Sequence, residues 1–201
     1  MVRLADGCGG RRVAIKTLKR GMMVATPKGG RRVVAVLKTA VLAETMCKIG
    51  QDLIVTPWHP VSMSEGEDWV FPAEVEAGKQ VSYTGYIYSV LLQRDGDSQA
   101  HMIEVEGIWG VSLGHGVVCG EDTRAHAFFG NYDRVHRALG MIGVCRKDGI
   151  IFGSGVARDG ETGLVNGFKG RSRRCSVGQK QGMAKQRLSR TYVRGRLGCK
   201  R

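Results

Sequence analysis

The chain has 201 residues, 42% of them hydrophobic, which is enough for one domain with a proper core and excludes disorder throughout. Its formal net charge of +13 is unevenly placed: residues 169–201 hold twelve Lys and Arg with no Asp or Glu, leaving nineteen basic and eighteen acidic groups in residues 1–168. No apolar run approaches the length that spans a bilayer, and MVRLADGCGG lacks the apolar stretch of a secretory signal, so an intracellular, cytoplasmic protein is the default expectation.

Taken in order, the elements are mostly short strands punctuated by the thirty glycines. Val2-Arg3-Leu4 reads as a strand and Asp6-Gly7 as a turn. RRVAIKTLKRG reads as a strand running into one helical turn that Gly21 ends. Met22 to Ala25 is a strand, Pro27-Lys28-Gly29-Gly30 a hairpin turn, Arg31 to Val41 the returning strand and Thr45 to Ile49 another.

Gly50 to Val61, GQDLIVTPWHPV, is the stretch around which the rest is organised. Leu53-Ile54-Val55 reads as a buried strand that delivers Thr56. Pro57 and Pro60 each fix φ and remove a backbone donor, so the strand stops and the chain turns. Thr56 and His59 therefore share a stiff corner, where a hydroxyl and an imidazole can be aimed at one point.

SMSEGEDW follows as a polar loop, and Trp69-Val70-Phe71 leads into Pro72, which confines it to an edge or a strand end. Tyr83 to Gln93 is a strong strand with Ile87, Tyr88, Val90 and Leu91 in the core. Arg94-Asp95-Gly96-Asp97 is a turn. From His101 to Glu106 the chain alternates, with Met102, Ile103 and Val105 against His101, Glu104 and Glu106. Ile108 to Leu113 is the next strand and ends at Gly114-His115-Gly116. Phe128, Tyr132, Val135 and Leu139 then recur at helical spacing, with Asn131 as cap and Gly140 as stop. Gly149 to Phe152 and Val156 to Phe168 read as a hairpin pair around Asp159-Gly160-Glu161-Thr162-Gly163. The tail from Lys169 shows neither periodicity.

The order of these signals resembles the Hint module of hedgehog autoprocessing domains and inteins. More narrowly it is similar to the Vint variant found beside von Willebrand factor A-type domains. VTPWHPVS, YSVLLQRDGDSQAH, GIWGVSLGHG, RAHAFFGNYDRV and ARDGETGLVNGF carry the resemblance. It implies a mainly β, horseshoe-like fold with pseudo-twofold halves over residues 1–116 and a short helix and hairpin extension over 117–168; beyond it, charge and lack of periodicity make 169–201 a basic, disordered tail. It also implies self-catalysed peptide-bond rearrangement, in which a Cys at the module's first position attacks the preceding carbonyl and a second nucleophile opens the thioester. His59 would be the general acid that protonates the departing amide nitrogen, Thr56 would orient the strained amide, and His101 and His115 would serve a second half-site. An upstream domain of von Willebrand factor A type is the implied partner.

Three departures qualify the resemblance. The family's nucleophile lies several residues before the first strand, where this chain starts at Met1, so cleavage in cis is not expected of the chain as it stands. His115 is followed by Gly116 rather than Asn, so splicing by Asn cyclisation is not expected. Met22 follows Gly21 where an acid is frequent. The nucleophile is thus unassigned. Cys8, past the DG turn, falls on the wrong side of the first strand and reads as a turn residue. Cys119, just past the Gly-His-Gly end, reads as a partly buried, unreactive thiol, and Cys47 reads as core.

Competing readings are a non-catalytic interaction domain that keeps the fold as a scaffold, and a zinc site of His115, Cys119, His126 and Cys145. The spacing matches no strong zinc pattern, so no metal and no cofactor are expected. Nucleic acid could bind only through the tail at 169–201, which has Tyr192 alone for stacking. Trp69 and Trp109 read as core or half-buried sheet residues, and His136 as surface or packing.

Overall fold

The computed structural model describes residues 1–5, 10–75, 79–143 and 147–170. The expected Asp6-Gly7 turn, Cys8, Cys145 and the tail from Arg171 lie outside them. The chain opens with β1 (Val2–Arg3), paired antiparallel with β2 (Arg12–Val13). A 3₁₀ turn over Ile15–Thr17 follows and the segment ends at Gly21, whose φ of 88° suits a residue without a Cβ. β3 (Met23–Thr26) and β4 (Gly29–Ile49) then form a hairpin in which Thr26 Oγ1 donates to the Gly29 carbonyl at 2.7 Å.

β4 is one strand where the sequence suggested two. Both of its halves pair antiparallel with β8 (Lys79–Leu92), and that continuous ladder carries the chain through. The expected break survives as a register irregularity between Val41 and Glu44, with Ala43 at φ 50°. β5 (Leu53–Val55) pairs with the far end of β4, Cys47 opposite Val55. The expectation that Leu53 to Val55 is buried fails. Ile54 is exposed and its neighbours are half-buried, because β5 lies along the end of β4 away from both cores.

β6 (Val61–Ser62) and β7 (Trp69–Val70) pair with each other at one edge. β9 (Met102–Val105) and β10 (Ile108–Val111) form a tight hairpin across Glu106 and Gly107. The expected helix is α1 (Tyr132–Ile142), with Asn131 Oδ1 accepting from the Arg134 N–H at 3.0 Å as its cap. It runs past Gly140 to a C-cap at Gly143, because Leu139 and Ile142 still pack on the core below. β11 (Ile150–Arg158) and β12 (Val165–Gly170) close the described chain as a hairpin, so Lys169 and Gly170 belong to a strand rather than to the tail.

The architecture is mainly β, in two sheets. One has the order β2-β1-β9-β10-β6-β7; the other has β12-β11-β4-β3, with β5 and β8 also on β4. All named pairings are antiparallel except β11 on β4. The register of β4 shifts between Val33 and Ala35, and that bulge decides the cores. Val33 and Val36 face a cluster with Val2, Leu4, Val24, Val90, Leu92 and Ile103, between the two sheets. Ala35 and Leu37 face a second cluster with Leu91, Leu113, Phe128, Val135, Leu139 and Phe168, where α1 and the β11–β12 hairpin pack. Each fully buried Leu or Val adds about 1.5–3 kcal/mol. The second cluster holds Leu113, two residues before His115, and so fixes one side of the site. No helix among the described residues is long and apolar enough to cross a membrane.

Candidate functional site

The proline corner is tied down from both ends. The Thr56 carbonyl accepts from the His59 N–H at 3.1 Å and closes a single turn. The Pro57 carbonyl accepts from the Ala73 N–H at 3.0 Å, and the Trp58 ring meets Phe71 edge-on at 5.6 Å. Beyond Pro60 the chain enters β6, whose Val61 lies opposite Gly110 of β10. His59 is thereby laid beside β10. A Cβ at Gly110 would fall 3.2 Å from His59 Nε2, so this glycine makes the room in which the ring sits. The ring is half-buried. Lost hydration pushes its pKa down to about 4, and the main chain of Val111, in hydrogen-bond reach, pulls the other way. At neutral pH His59 is uncharged.

His101 departs from its expected place. The alternation put it on the face opposite Met102, yet its side chain is wholly buried. Residues Ser98–His101 form a 3₁₀ turn capped by Asp97, which accepts from the Gln99 N–H at 2.9 Å, and this turn swings the imidazole inward before β9 begins. Nε2 lies 3.3 Å from the Asp95 carbonyl. A carbonyl can only accept, so Nε2 carries the proton and the neutral ring has a bare Nδ1. That nitrogen is buried and has no hydrogen-bond partner among the described residues. Burial lowers the pKa, because an imidazolium would place a second, unsatisfied N–H there.

His115 is held by its flanking glycines. Gly114 and Gly116 have φ of 71° and 89°, a left-handed pair that turns the ring between them into the protein. A Cβ at Gly114 would strike Tyr132 Cδ2 at 2.8 Å, so α1 closes directly over the turn. The Gly114 and Gly116 N–H groups donate to the Phe129 and Gly130 carbonyls at 2.7 and 2.8 Å. His115 is 2% exposed, and Nδ1 accepts from the Val117 N–H at 3.4 Å. Burial and then the nearby Arg124 guanidinium depress its pKa to about 4, with His101, His59 and His126 adding further like charge when protonated. His59 and His101 therefore lie within electrostatic reach of His115, and Thr56 shares the corner turn with His59.

Three contributors went unread in the sequence. Gly110 looks like any strand glycine until the ring opposite it is known. Arg124 stood within RAHAFFGNYDRV without distinction, although its guanidinium is fixed by Asp122, with Nη2 on Oδ2 at 2.6 Å and Nε on Oδ1 at 3.0 Å. The only available signal was the local Asp-x-Arg spacing, in which an Asx turn lets Asp122 Oδ1 accept from the Arg124 N–H at 2.8 Å. His126, for which the sequence offered no role, has a structural one: Nδ1 accepts from the N–H groups of both Phe128 and Phe129, at 3.1 and 3.0 Å, and closes the turn that leads to α1.

Of the cysteines, Cys47 is buried as expected. Cys119 is exposed rather than partly buried, because the chain leaves the core after Gly116. Among the described residues no group of three His, Cys, Asp or Glu is placed to hold a metal ion. Trp109 is buried, Trp69 half-buried, and His136 is exposed with its ring stacked on Tyr132 at 6.1 Å.

The start of β1 belongs to the same sheet as the site. The Met1 carbonyl accepts from the Glu106 N–H at 3.1 Å, its ammonium pairs with the Glu106 carboxylate, and Val2 lies opposite Val105. From Met1 to Gly110 is two strands across and three residues along, about 14 Å on a flat sheet. About four extended residues cover that distance.

A mainly β, two-sheet domain with a histidine corner, a buried histidine at a strand entry and a Gly-His-Gly turn is of the Hint type. The family model described as Vint, Hint-domain, matches residues 1–167, and the chain belongs to that family. No curated protein matches it.

Proposed function

We propose that this Vint domain is an autoprocessing module that rearranges a peptide bond upstream of Met1 by an N-to-S acyl shift. The observation that carries the reading is the His59 ring seated against Gly110 and Val111 of β10, a strand of the sheet that also contains β1. An upstream segment of about four residues reaches that ring without unmaking β1. A cysteine there attacks the carbonyl carbon of the residue before it. His59 takes the thiol proton and hands it to the amide nitrogen as the C–N bond breaks. A C–S bond replaces the C–N bond, the nitrogen leaves as an amine, and the step is an isomerisation that consumes no water. A second nucleophile then opens the thioester. Thr56, on the same turn, orients the amide, and His101 and His115 supply hydrogen bonds in the interior of the site. The natural acyl group would come from a domain upstream, of von Willebrand factor A type by resemblance.

The test is a chain extended upstream of Met1 by a carrier protein and a short segment bearing one cysteine, its position scanned from two to eight residues before Val2. Thiol should release the carrier at one or two neighbouring positions of the scan, and His59→Ala should abolish the release while the domain stays folded. Equal stability of every extended chain, with and without His59, would leave an inert scaffold as the better description.

A further inference from the structure

β8 is bound along one side and bare along most of the other. It runs antiparallel to β4 from Lys79 to Leu92, and among the described residues no other named element packs extensively against it. The Val90 carbonyl accepts from the Leu113 N–H at 2.8 Å, on the side away from β4. Alternation along the strand fixes the rest: the main-chain N–H and C=O groups of Tyr88, Tyr86, Thr84, Ser82 and Gln80 also point away from β4. The irregularity between Val41 and Glu44 adds its extra residue to β4, so β8 keeps its alternation through it, and Thr84 Oγ1 takes the displaced Ala43 N–H at 2.9 Å. Among the described residues, the one contact to these outward groups is a 3.4 Å approach of the Tyr83 hydroxyl to the Tyr86 carbonyl.

Open sheet edges are normally kept short, or guarded by a charge, a proline or a cover. The other edge strands follow that rule. β2 and β7 have two residues each, β3 has four, and β12 carries Lys169. β8 breaks it. From Gln80 to Tyr88 it reads QVSYTGYIY, with neither charge nor proline. Its Val, Tyr, Thr and Ile are the residue types that suit a strand.

This bare stretch is also self-complementary. Thr84 lies midway between Gln80 and Tyr88. Laid antiparallel on a second copy about a two-fold axis at Thr84, the edge sets Gln80 opposite Tyr88, Ser82 opposite Tyr86, and Thr84 opposite its own mate. Both members of each pair point across the seam, so every outward N–H meets an outward carbonyl. The intervening pairs set Tyr83 opposite Gly85 and Val81 opposite Ile87. Lys79, the charged residue at the end of the strand, falls opposite Ser89, which keeps the two ammonium groups roughly 34 Å apart.

We propose that the Gln80–Tyr88 edge is a homodimer seam, where two copies of this domain join β8 to β8 across a two-fold axis at Thr84 and form one sheet through both. Main-chain bonds supply the adhesion. Two strands meeting edge to edge bury less than a standard interface, so the association is weak and follows concentration. The seam stands on the geometry of β8 and is independent of the acyl shift.

The experiment is sedimentation equilibrium of the full chain, with amide hydrogen exchange at matched concentrations. The mass should rise from one chain toward two between about 1 µM and about 0.5 mM. Exchange at Gln80, Ser82, Thr84, Tyr86 and Tyr88 should slow in step, by about tenfold or more. Ser82→Pro removes an outward donor and leaves the bonds to β4 in place, and Thr84→Lys sets like charges face to face at the axis. Each should weaken association about tenfold or more. Ser82→Lys should weaken it too, and adding Tyr86→Glu, which lies opposite in the second copy, should restore it. A single chain at every concentration with those amides exchanging freely would overturn the proposal. Protection already present in dilute, single-chain protein would overturn it as well, by assigning the edge to a segment of the same chain. A dimer that survives both Ser82→Pro and Thr84→Lys would place the contact elsewhere and overturn it equally.

Discussion

The proline corner and the Gly-His-Gly turn each present one imidazole with a pKa near 4, and they reach it by different physics. At the corner, lost hydration acts against a single main-chain partner at Val111 that favours the cation. At the turn, lost hydration and a guanidinium act together, and the hydrogen bond from the Val117 N–H holds Nδ1 as an acceptor. Similar pKa values thus rest on different partners, and on the proposed acyl shift His59, whose main-chain neighbour favours the cation, is the ring that moves protons.

The strongest way to break this comparison is to remove the mobile imidazole. In a cysteine-extended chain, His59→Ala should slow thiol-dependent release by about 10²–10⁴-fold, read from gel time courses, with the melting temperature little changed. If His115→Ala alone had that effect and His59→Ala none, the two roles would be exchanged.

Acid sharpens the comparison through stability. Both rings have folded-state pKa values below the unfolded value near 6.5, so the unfolded chain binds more protons between pH 6.5 and 4. Stability is full above about pH 6.5 and falls as pH drops through that window. His115, nearly unexposed and shifted to about 4, should cost up to about 3 kcal/mol by pH 4, seen as a falling urea midpoint. A midpoint that holds steady from pH 7 to pH 4 would mean that the turn accommodates the cation.

A smaller perturbation reaches the corner alone. Gly110→Ala puts a methyl 3.2 Å from His59 Nε2 without requiring a left-handed backbone. The ring should shift by a few tenths of an ångström or more, and release should slow by up to about 100-fold while the fold persists. A rate equal to wild type would show that the ring's seat in that space is not what aims it. The smallest effect belongs to the turn's cover. Asn131→Ala should cost about 1 kcal/mol in urea unfolding through the lost cap on α1, with the rate of release unchanged.

What the sequence showed and hid follows the same division. The corner was legible because proline acts locally: Pro57 and Pro60 had to end a strand wherever the chain went. Asn131 and the 132–142 helix were legible for the same reason, in capping and period. The continuity of β4 was not, since it depends on a partner strand thirty residues on. Nor was the inward turn of His101, where a capped 3₁₀ turn overrides an alternation that by itself points the ring outward. Of the site, Thr56, His59, His101 and His115 could be picked out by residue type and order. Gly110 and Arg124 could not, because a glycine announces an empty space only when its neighbour is known, and Arg124 comes within electrostatic reach of His115 only when the Gly130 and Val117 carbonyls have folded the loop back.

The most direct measurement treats the extended chain with hydroxylamine and weighs the liberated carrier. Passage through a thioester predicts a hydroxamate at the carrier's final residue, at the bond before the introduced cysteine, and none when His59 is alanine. A carrier that ends in a plain carboxylate, or a bond that survives hydroxylamine with His59 in place, would contradict it.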